Sequence, residues 1–349
     1  MDFSKALLSW YSKNARSLPW RQNNDPYFIW ISEIILQQTR VDQGLPYYLE
    51  FVKAFPNIKK LHQASEDQVL KKWQGLGYYS RARNMKKAAV QIVEEHNGIF
   101  PQTYEGILSL QGIGPYTAAA ISSISFNLAR AVVDGNVYRV LARYFGVSLP
   151  INSTEGKKYF QKLADELIDT ENPGAHNQAI MEFGARLCKP QNPDCGACPL
   201  VNSCIAFAQL QVKELPVKLK KLKVNKRYLN FLLLHNGDEV WIEKREEQNI
   251  WKGLYQLPLI ESDKELEAQD LVKQEAFINL IKNQPFQILS VNKIKHKLTH
   301  RDLYIQFLQL ELEGAPSLPF IRLELSKLNE FAFPKPIENY LKALKILTY

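Results

Sequence analysis

The spacing of apolar residues along this chain of 349 residues changes near residue 208. Before that point, apolar positions recur three and four residues apart, which places their side chains on one face of a helix. Helix-start signals accompany the spacing, because Asp25 stands as an N-cap before Pro26 and a capping box runs from Ser65 to Gln68. The pattern predicts a nearly all-α domain over residues 1–208.

Strand-like runs are mixed with helical ones from residue 227 onward. Asn236 and Gly237 stand between two such runs, which is a strong signal for a β-hairpin. One amphipathic helix is expected over residues 263–283, and a further helix closes the chain. The pattern therefore predicts an α+β domain over residues 227–349.

A basic linker, residues 209–226, joins the two predicted domains and carries six lysines. Such a run is typical of a solvated spacer, and it also suits a strap that follows phosphates, so both interpretations stay open. The whole chain has a net charge of +8, which favours an anionic partner.

The composition indicates packed domains in a soluble chain. Apolar residues make up 46% of the sequence, which is enough for hydrophobic cores. No apolar run reaches the ~18 residues that span a membrane, and the first residues lack the pattern of a secretory signal. We expect a cytoplasmic protein with no membrane partner.

All four cysteines lie close together, at Cys188, Cys195, Cys198 and Cys204. A disulfide framework would spread its cysteines along the fold, so the clustering favours one metal or cluster site in a reducing compartment. Soft thiolates select zinc or iron–sulfur centres. The spacing alone leaves an iron–sulfur cluster, a zinc ion and free thiols open.

A glycine-rich turn lies within residues 104–126, which are predicted to form a helix, a tight turn and a second helix. Gly112 and Gly114 permit left-handed backbone or the close approach of another backbone. Their N–H groups, at the start of the helix that Pro115 opens, form a site for one phosphate. An ordinary helix turn is the alternative.

Two carboxylates accompany this turn. Asp134 follows Gly114 by twenty residues at a predicted helix start, where it can serve as an N-cap, as a catalytic anion or as both. Glu33 stands in an apolar helical run, where burial would raise the pKa of its carboxyl and suit it to donate a proton. On position alone, a place for Glu33 on the solvent-facing side of the helix also stays open.

The cysteine spacing C-x6-C-x2-C-x5-C, the glycine hairpin and the aspartate together resemble the signature of the helix–hairpin–helix DNA glycosylases related to endonuclease III. The resemblance implies a fold with an all-α helix–hairpin–helix domain and an iron–sulfur cluster loop over residues 188–204. It also implies that the four cysteines hold a [4Fe–4S] cluster with a structural and DNA-docking role. The hairpin would grip the DNA backbone, and Asp134 would lie near C1′ of a flipped nucleotide.

The segment "SEIILQQT" is similar to a segment of the adenine DNA glycosylases, the MutY family. This resemblance implies that Glu33 protonates N7 of adenine, that Asp134 stabilises the sugar cation, and that Asn136 positions Asp134 or the water. Tyr116 stands where related lyases carry a Schiff-base lysine, so we expect a monofunctional glycosylase. The residues implied to contact the DNA or the flipped base are Trp20, Arg21, Gln37, Gln38, Thr39, Tyr78, Gly112, Gly114 and Gln178. Among them, Gln38 would intercalate and Tyr78 would act as a wedge.

The C-terminal domain resembles the MutT-like (Nudix-like) domain of the same family, although the Nudix box of metal-binding carboxylates is absent from the sequence. We therefore expect this domain to bind rather than cleave. In the family, a short loop of the domain recognises 8-oxoguanine, and "HKLTH" matches that loop. The resemblance implies contacts from Thr299 and His300, while Leu298 replaces an aromatic ring.

The combined expectation is a monomeric base-excision repair enzyme of the cytoplasm, associated with the nucleoid through its DNA. Its substrate would be double-stranded DNA with adenine opposite 8-oxoguanine or guanine, where mispairing makes base flipping easier. The alternatives are an endonuclease III-like pyrimidine glycosylase/lyase and a catalytically silent iron–sulfur DNA-binding protein. Tyr116 and the second domain disfavour the first alternative, and the two carboxylates disfavour the second.

Overall fold

The computed structural model describes residues 3–219, 225–246, 250–298, 300–314 and 317–347 of the chain. The chain divides into two compact units. The helical unit comprises Met1–Gln63 and Asn84–Lys220, and the strand unit comprises Ala64–Arg83 and Lys221–Tyr349.

The N-terminal part of the chain is helical, as its apolar spacing predicted. Its helices are α1 (Phe3–Asn14), α2 (Pro26–Leu36), α3 (Val41–Ala54), α4 (Ile58–Gln63), α5 (Glu66–Trp73), α6 (Ser80–Glu95), α7 (Tyr104–Leu108), α8 (Pro115–Phe126), α9 (Gly135–Tyr144), α10 (Thr154–Leu167), α11 (Pro173–Arg186) and α12 (Ile205–Ala208). Short 3-10 helices cover Pro19–Arg21 and Val201–Ser203.

One hydrophobic core of the helical unit joins α1 to the helices α8, α9, α10 and α11. Helices α1, α8, α9, α10 and α11 contribute buried residues to it, among them Leu7, Ala120, Leu141, Phe160 and Phe183. The N-cap of α2 is confirmed, because the Asp25 carboxylate accepts a hydrogen bond from the N–H of Tyr27.

The strand unit is built on a seven-stranded mixed sheet. Its strands are β1 (Asn225–Asn236), β2 (Glu239–Lys244), β3 (Tyr255–Gln256), β4 (Leu259–Ser262), β5 (Phe286–Lys297), β6 (Arg301–Leu312) and β7 (Ile321–Glu324). The order is β3-β2-β1-β6-β5, with β4 pairing with β1 and β7 pairing with β2. Strands β1 and β6 run parallel, and β1 and β2 form the hairpin predicted at Asn236-Gly237.

Helices cover both faces of this sheet. The helix α15 (Lys335–Ala343) packs on one face, where Phe231 and Phe307 lie in the core. The helices α13 (Ala268–Leu271) and α14 (Glu275–Ile281) pack on the other face. A 3-10 helix, Leu325–Glu330, precedes α15.

The single helix predicted over residues 263–283 is wrong, since two short helices, α13 and α14, occupy this stretch. Leu271 and Phe277 are both fully buried. Six residues apart in one continuous helix, they would point roughly 120° away from each other. The break between α13 and α14 lets both side chains enter the same core.

The unit boundaries differ from the predicted ones at residues 64–83, which belong to the strand unit rather than to the helical part. Asp67 on α5 accepts hydrogen bonds from Lys244 and Tyr255. The ammonium group of Lys71 donates to the carbonyl of Phe331 at 2.9 Å. These contacts join residues far apart in sequence, so a local pattern could not reveal them.

Within the described residues, no helix combines the length and the apolar composition that crossing a membrane requires.

Candidate active site and cysteine centre

A cavity of about 170 Å³ in the helical unit brings the two predicted carboxylates together. Glu33 from α2 and Asp134 at the start of α9 both line it, and so do Tyr116 from α8 and Asn136 from α9. Three segments distant in sequence therefore converge on one space large enough for a small planar molecule. Trp20, Arg21, Thr39 and Gln178, which the sequence implied as contacts for the base, also line this cavity.

Glu33 lies on α2 between residues buried in the core, and its carboxyl faces the cavity. Burial raises its pKa to about 7, although the Tyr116 hydroxyl opposes this by donating to Oε2 at 2.9 Å. The negative charge of Asp134 raises the pKa further, and Arg21 lowers it. A carboxyl with a pKa near neutrality can hold a proton and also release it.

Asp134 caps α9 and faces the cavity at the same time. Its Oδ1 accepts hydrogen bonds from the backbone N–H groups of Asn136 and Val137, at 2.9 and 2.8 Å. Its Oδ2 accepts a third from the Asn136 side-chain amide at 2.8 Å. Burial raises the pKa of Asp134, and these three bonds oppose that rise by stabilising the carboxylate.

Tyr116 is the second residue of α8, directly after Pro115. Its hydroxyl lies 2.9 Å from Glu33 and 3.2 Å from the sulfur of Met181. Burial and the nearby carboxylates raise the pKa of Tyr116 well above its usual value. The phenol therefore stays neutral at physiological pH and acts as a hydrogen-bond donor.

Sequence reasoning missed a buried glutamate in the cavity wall, Glu182 on α11. The Arg16 guanidinium donates two hydrogen bonds to it, at 2.7 and 2.8 Å, the Arg16 backbone N–H donates a third at 3.2 Å, and Arg21 donates one at 2.9 Å. Burial alone would raise the pKa of Glu182, but these bonds outweigh that effect and lower it to about 2. The signal in the sequence was the same as for Glu33, a single acid inside an apolar helical run.

Gln178 is oriented by α1, because the Tyr11 hydroxyl donates to its Oε1 at 2.7 Å. The Arg21 guanidinium lies over the Tyr11 ring, 5.6 Å from the centroid.

Two residues of the "QQT" segment, residues 37–39, lie outside the cavity lining. Gln37 donates to the Thr117 hydroxyl at 3.4 Å, and Gln38 is exposed with a left-handed φ of +58°.

The predicted glycine hairpin is the turn between α7 and α8. Gly112 has a φ of +79°, and a Cβ there would come within 2.4 Å of Asn84, so only glycine suits the position. Gly114 is the N-cap of α8 and has no side chain, so it offers no side-chain acceptor to the first N–H groups of α8. Such a helix start is suited to an anion.

The remaining implied contacts belong to the strand unit. Tyr78 is exposed at the turn between α5 and α6. His300 is exposed in the connection between β5 and β6, and Leu298 packs against the sheet core beside it. Thr299 lies outside the described residues.

The four cysteines line one small cavity of about 30 Å³, together with Arg143. All four are free of disulfide bonds. The buried Arg143 approaches Cys188 Sγ at 3.4 Å and donates to the carbonyl of Lys189 at 2.7 Å, so it holds the loop and places a positive charge beside a thiol. In the part of the chain that the structure describes, no group of three or more His, Cys, Asp or Glu side chains is arranged to hold a metal ion.

Arg139 connects the cysteine loop to the cavity. Its Nε donates to the carbonyl of Cys188 at 2.7 Å, and its Nη2 donates to Asn136 Oδ1 at 2.8 Å. Because Asn136 in turn donates to Asp134, one guanidinium joins the loop to the buried carboxylate.

Comparisons with known proteins match both units. Residues 31–168 match the HhH-GPD superfamily of base excision DNA repair proteins, and residues 230–343 match the NUDIX domain. The adenine DNA glycosylase of Buchnera aphidicola subsp. Schizaphis graminum is 35% identical, over 98% of this chain and 99% of the relative. That of Buchnera aphidicola subsp. Baizongia pistaciae is 38% identical, over 87% of this chain and 84% of the relative.

Among solved structures, a thermostable thymine-DNA glycosylase aligns with a TM-score of 0.55 and 29% identity, over 59% of this chain and 95% of that one. These matches confirm the predicted fold class, a helix–hairpin–helix glycosylase domain followed by a Nudix-like α+β domain.

Proposed function

The chain belongs to the adenine DNA glycosylase family, the MutY family, and from this membership we propose that it removes adenine paired with 8-oxoguanine or guanine in double-stranded DNA. Membership makes the protein a base-excision repair enzyme that hydrolyses N-glycosyl bonds. The observation that carries the proposal is the pairing, in one cavity, of Glu33 with a pKa of about 7 and Asp134 with both oxygens hydrogen-bonded.

The two carboxyl groups divide the work of breaking the glycosyl bond. Protonated Glu33 gives its proton to N7 of adenine, so the base leaves as a neutral molecule with the electrons of the C1′–N9 bond. Positive charge then develops on the deoxyribose, and the ionised Asp134 stabilises it. Water adds at C1′ and releases a proton, which restores Glu33 to its acid form. Asn136 holds Asp134 in place for this step.

Side chains in the wall of the cavity would recognise the adenine base. Glu182 keeps its negative charge because Arg16 and Arg21 bind it, and it offers an acceptor for the exocyclic amino group of adenine. Gln178, oriented by Tyr11, has amide N–H groups for a ring nitrogen of the base. Trp20, which is 5% exposed, provides an aromatic edge of the cavity.

Hydrolysis without strand cleavage is the expected outcome. A lyase of this superfamily needs an amine that attacks C1′, and a neutral phenol at Tyr116 cannot form a Schiff base. The hydrogen bond from Tyr116 to Glu33 gives this residue a different task, which is to orient the general acid.

The cysteine cavity supports a [4Fe–4S] cluster held by Cys188, Cys195, Cys198 and Cys204. The four thiols that line this space are the soft donors that such a group takes, although no three of them are arranged to hold a metal ion in the part of the chain that the structure describes. When bound, the cluster would fix the loop over residues 188–204 in a shape that docks on DNA. Purified protein should contain about four iron atoms and four sulfides per chain.

Recognition of the base opposite adenine is assigned to the strand unit. The N–H of Leu298 donates to the carbonyl of Arg301 at 2.8 Å, next to the last paired residues of β5 and β6. Leu298 packs on the sheet core and His300 is exposed, and the family resemblance assigns the contacts with 8-oxoguanine to Thr299 and His300. The enzyme would act as a monomer in the cytoplasm, on the DNA of the nucleoid.

A single assay tests the activity. The protein is incubated with a duplex that contains adenine opposite 8-oxoguanine, and the product is treated with alkali. We expect alkali-dependent cleavage at the adenine that is lost in Glu33→Gln and Asp134→Asn. Strand cleavage without alkali, or cleavage at oxidised pyrimidines instead, would contradict the proposal.

A further inference from the structure

The turn between α5 and α6, residues 74–79, holds Tyr78 on strained backbone. Tyr78 has a φ of +49°, in the left-handed region that residues with a Cβ avoid, and it is 48% exposed. Strain of this kind persists only where the surroundings force it, and it is concentrated at functional sites. Contacts within the turn must therefore hold the tyrosine in this position.

The carbonyl of Gly77 anchors the turn. It accepts hydrogen bonds from the indole N–H of Trp73 and from Nη2 of Arg81, both at 3.1 Å. Trp73 is fully buried, so the anchor rests on a rigid side chain. Gly77 has a φ of +75° and nothing within 4 Å of a Cβ position, so backbone conformation rather than space selects glycine there.

Arg81 links this anchor to the exposed tyrosine. Its guanidinium carbon lies 5.2 Å from the centroid of the Trp73 ring and 5.6 Å from that of the Tyr78 ring. Burial lowers the pKa of Arg81 to about 10, which leaves it cationic at neutral pH. A cation over an aromatic face is attracted by the ring quadrupole, so Arg81 holds Tyr78 in one orientation.

We propose that Arg81 is a positioning residue that presents the ring of Tyr78 to the DNA base stack beside the target pair. The proposal rests on the proposed function and on the family resemblance, which implies that Tyr78 acts as a wedge. Arg81 acts through Tyr78 and not on the reacting atoms. It therefore contributes to duplex affinity and to stacking, while the chemical step depends on the cavity of the helical unit.

A double-mutant cycle tests this role. The dissociation constant for an adenine:8-oxoguanine duplex and the single-turnover excision rate at saturating protein are measured for wild type, Arg81→Met, Tyr78→Ala and the double variant. We expect each single variant to weaken binding roughly tenfold, in line with the loss of one stacked ring, while the saturating rate changes less than about twofold. The double variant should bind no more weakly than Tyr78→Ala, because both changes remove the same contact.

Fluorescence of 2-aminopurine beside the target pair reports the stacking directly. Wild type should change this signal on binding, and both single variants should lose the change. Arg322→Met is the matched control, because Arg322 also lies over an aromatic ring of the strand unit, 5.8 Å from the centroid of Trp241. It should leave affinity and fluorescence unaltered.

The outcomes separate this proposal from the function on which it rests. If wild type does not excise adenine, the proposed function fails. If wild type is active but the effects of Arg81→Met and Tyr78→Ala add in the double variant, Arg81 acts independently of Tyr78 and the positioning role is wrong. Should Arg81→Met fail to fold, Arg81→Lys, which keeps the charge without the planar group, replaces it in the same cycle.

Discussion

The hydrogen bond between Tyr116 and Glu33 makes the protonation of the general acid adjustable. Burial raises the pKa of Glu33 to about 7, and the Tyr116 hydroxyl works against that rise by stabilising the carboxylate. Since the acid form donates the proton, the excision rate should be highest below pH 7 and fall as pH rises through the pKa. Burial therefore sets the upper end of the pH range in which the proposed general acid works, and the Tyr116 hydroxyl lowers it.

Tyr116→Phe removes the donor, so the pKa of Glu33 should rise and the alkaline limb of the rate profile should move to higher pH by about one unit or less. The measurement is the single-turnover excision rate across pH. Tyr27→Phe is the control, because the Tyr27 hydroxyl donates to the carbonyl of Phe55 and lies outside the cavity lining. A midpoint that stays in place, or moves to lower pH, would contradict the assigned contact.

Glu182 links stability to the electrostatics of the cavity. The pKa of Glu182 is about 2 in the folded protein and about 4.3 in an unfolded chain, so its ionised form stabilises the fold fully above about pH 4.3. This contribution is lost as the pH falls toward 2. Glu182→Gln should destabilise the protein at neutral pH by about 2–4 kcal/mol, because it leaves two partly buried guanidinium groups without their counter-charge. Arg16 and Arg21 remain partly exposed, which keeps the cost at the lower end of that range.

Urea unfolding of wild type and of Glu182→Gln at several pH values measures this predicted loss of stability. The difference from wild type should shrink below about pH 4, because the unfolded wild-type chain takes up a proton at Glu182 there while the folded protein stays ionised until about pH 2. Glu166→Gln changes a largely exposed glutamate, 3.8 Å from Lys162, and should alter stability by less than about 0.5 kcal/mol. A Glu182→Gln difference that does not depend on pH would show that packing, and not charge, causes the loss.

At the scale of elements, the turn between α7 and α8 contains two glycines, Gly112 and Gly114, that serve different purposes. Gly112 needs its left-handed backbone and the close approach to Asn84, whereas Gly114 has a φ of −96° and open space around a Cβ position. The first glycine builds the turn. In the proposed function, the second keeps the helix start clear for a phosphate of the DNA.

Gly112→Ala should therefore lower the free energy of unfolding by about 1–3 kcal/mol, while Gly114→Ala changes it by less than about 1 kcal/mol. Thermal and urea unfolding measure the difference. The dissociation constant for duplex DNA tests the proposed phosphate site at Gly114. Gly114→Ala places a methyl group at the start of α8, so it should weaken duplex binding in a protein that still folds. Equal stability losses for the two variants would contradict this division.

At the scale of the whole molecule, residues with a strong local signal were predictable and residues defined by long-range contacts were not. The Asp25 and Ser65 caps and the Asn236-Gly237 hairpin depend on neighbours in sequence, so their patterns were sufficient. The burial of the Glu182 carboxylate is explained only by its partners Arg16 and Arg21, which lie more than 160 residues away in sequence. Long-range contacts of the same kind group residues 64–83, which the local pattern places in the helical domain, with the strand unit.

The assignment of residues 64–83 to the strand unit leads to a prediction for a chain that ends at residue 219. Truncation removes the partners of Asp67 and Lys71, namely Lys244, Tyr255 and the carbonyl of Phe331. Helix α5 and the turn that carries Tyr78 should then open more easily, because less of their surface is buried and an ammonium group loses an acceptor. Amide hydrogen exchange should be faster over residues 66–81 in the truncated chain than in the full chain, while α9 and α11 keep their protection. Unchanged exchange over residues 66–81 would show that this segment is stable without the C-terminal sheet, and duplex affinity should then survive the truncation as well.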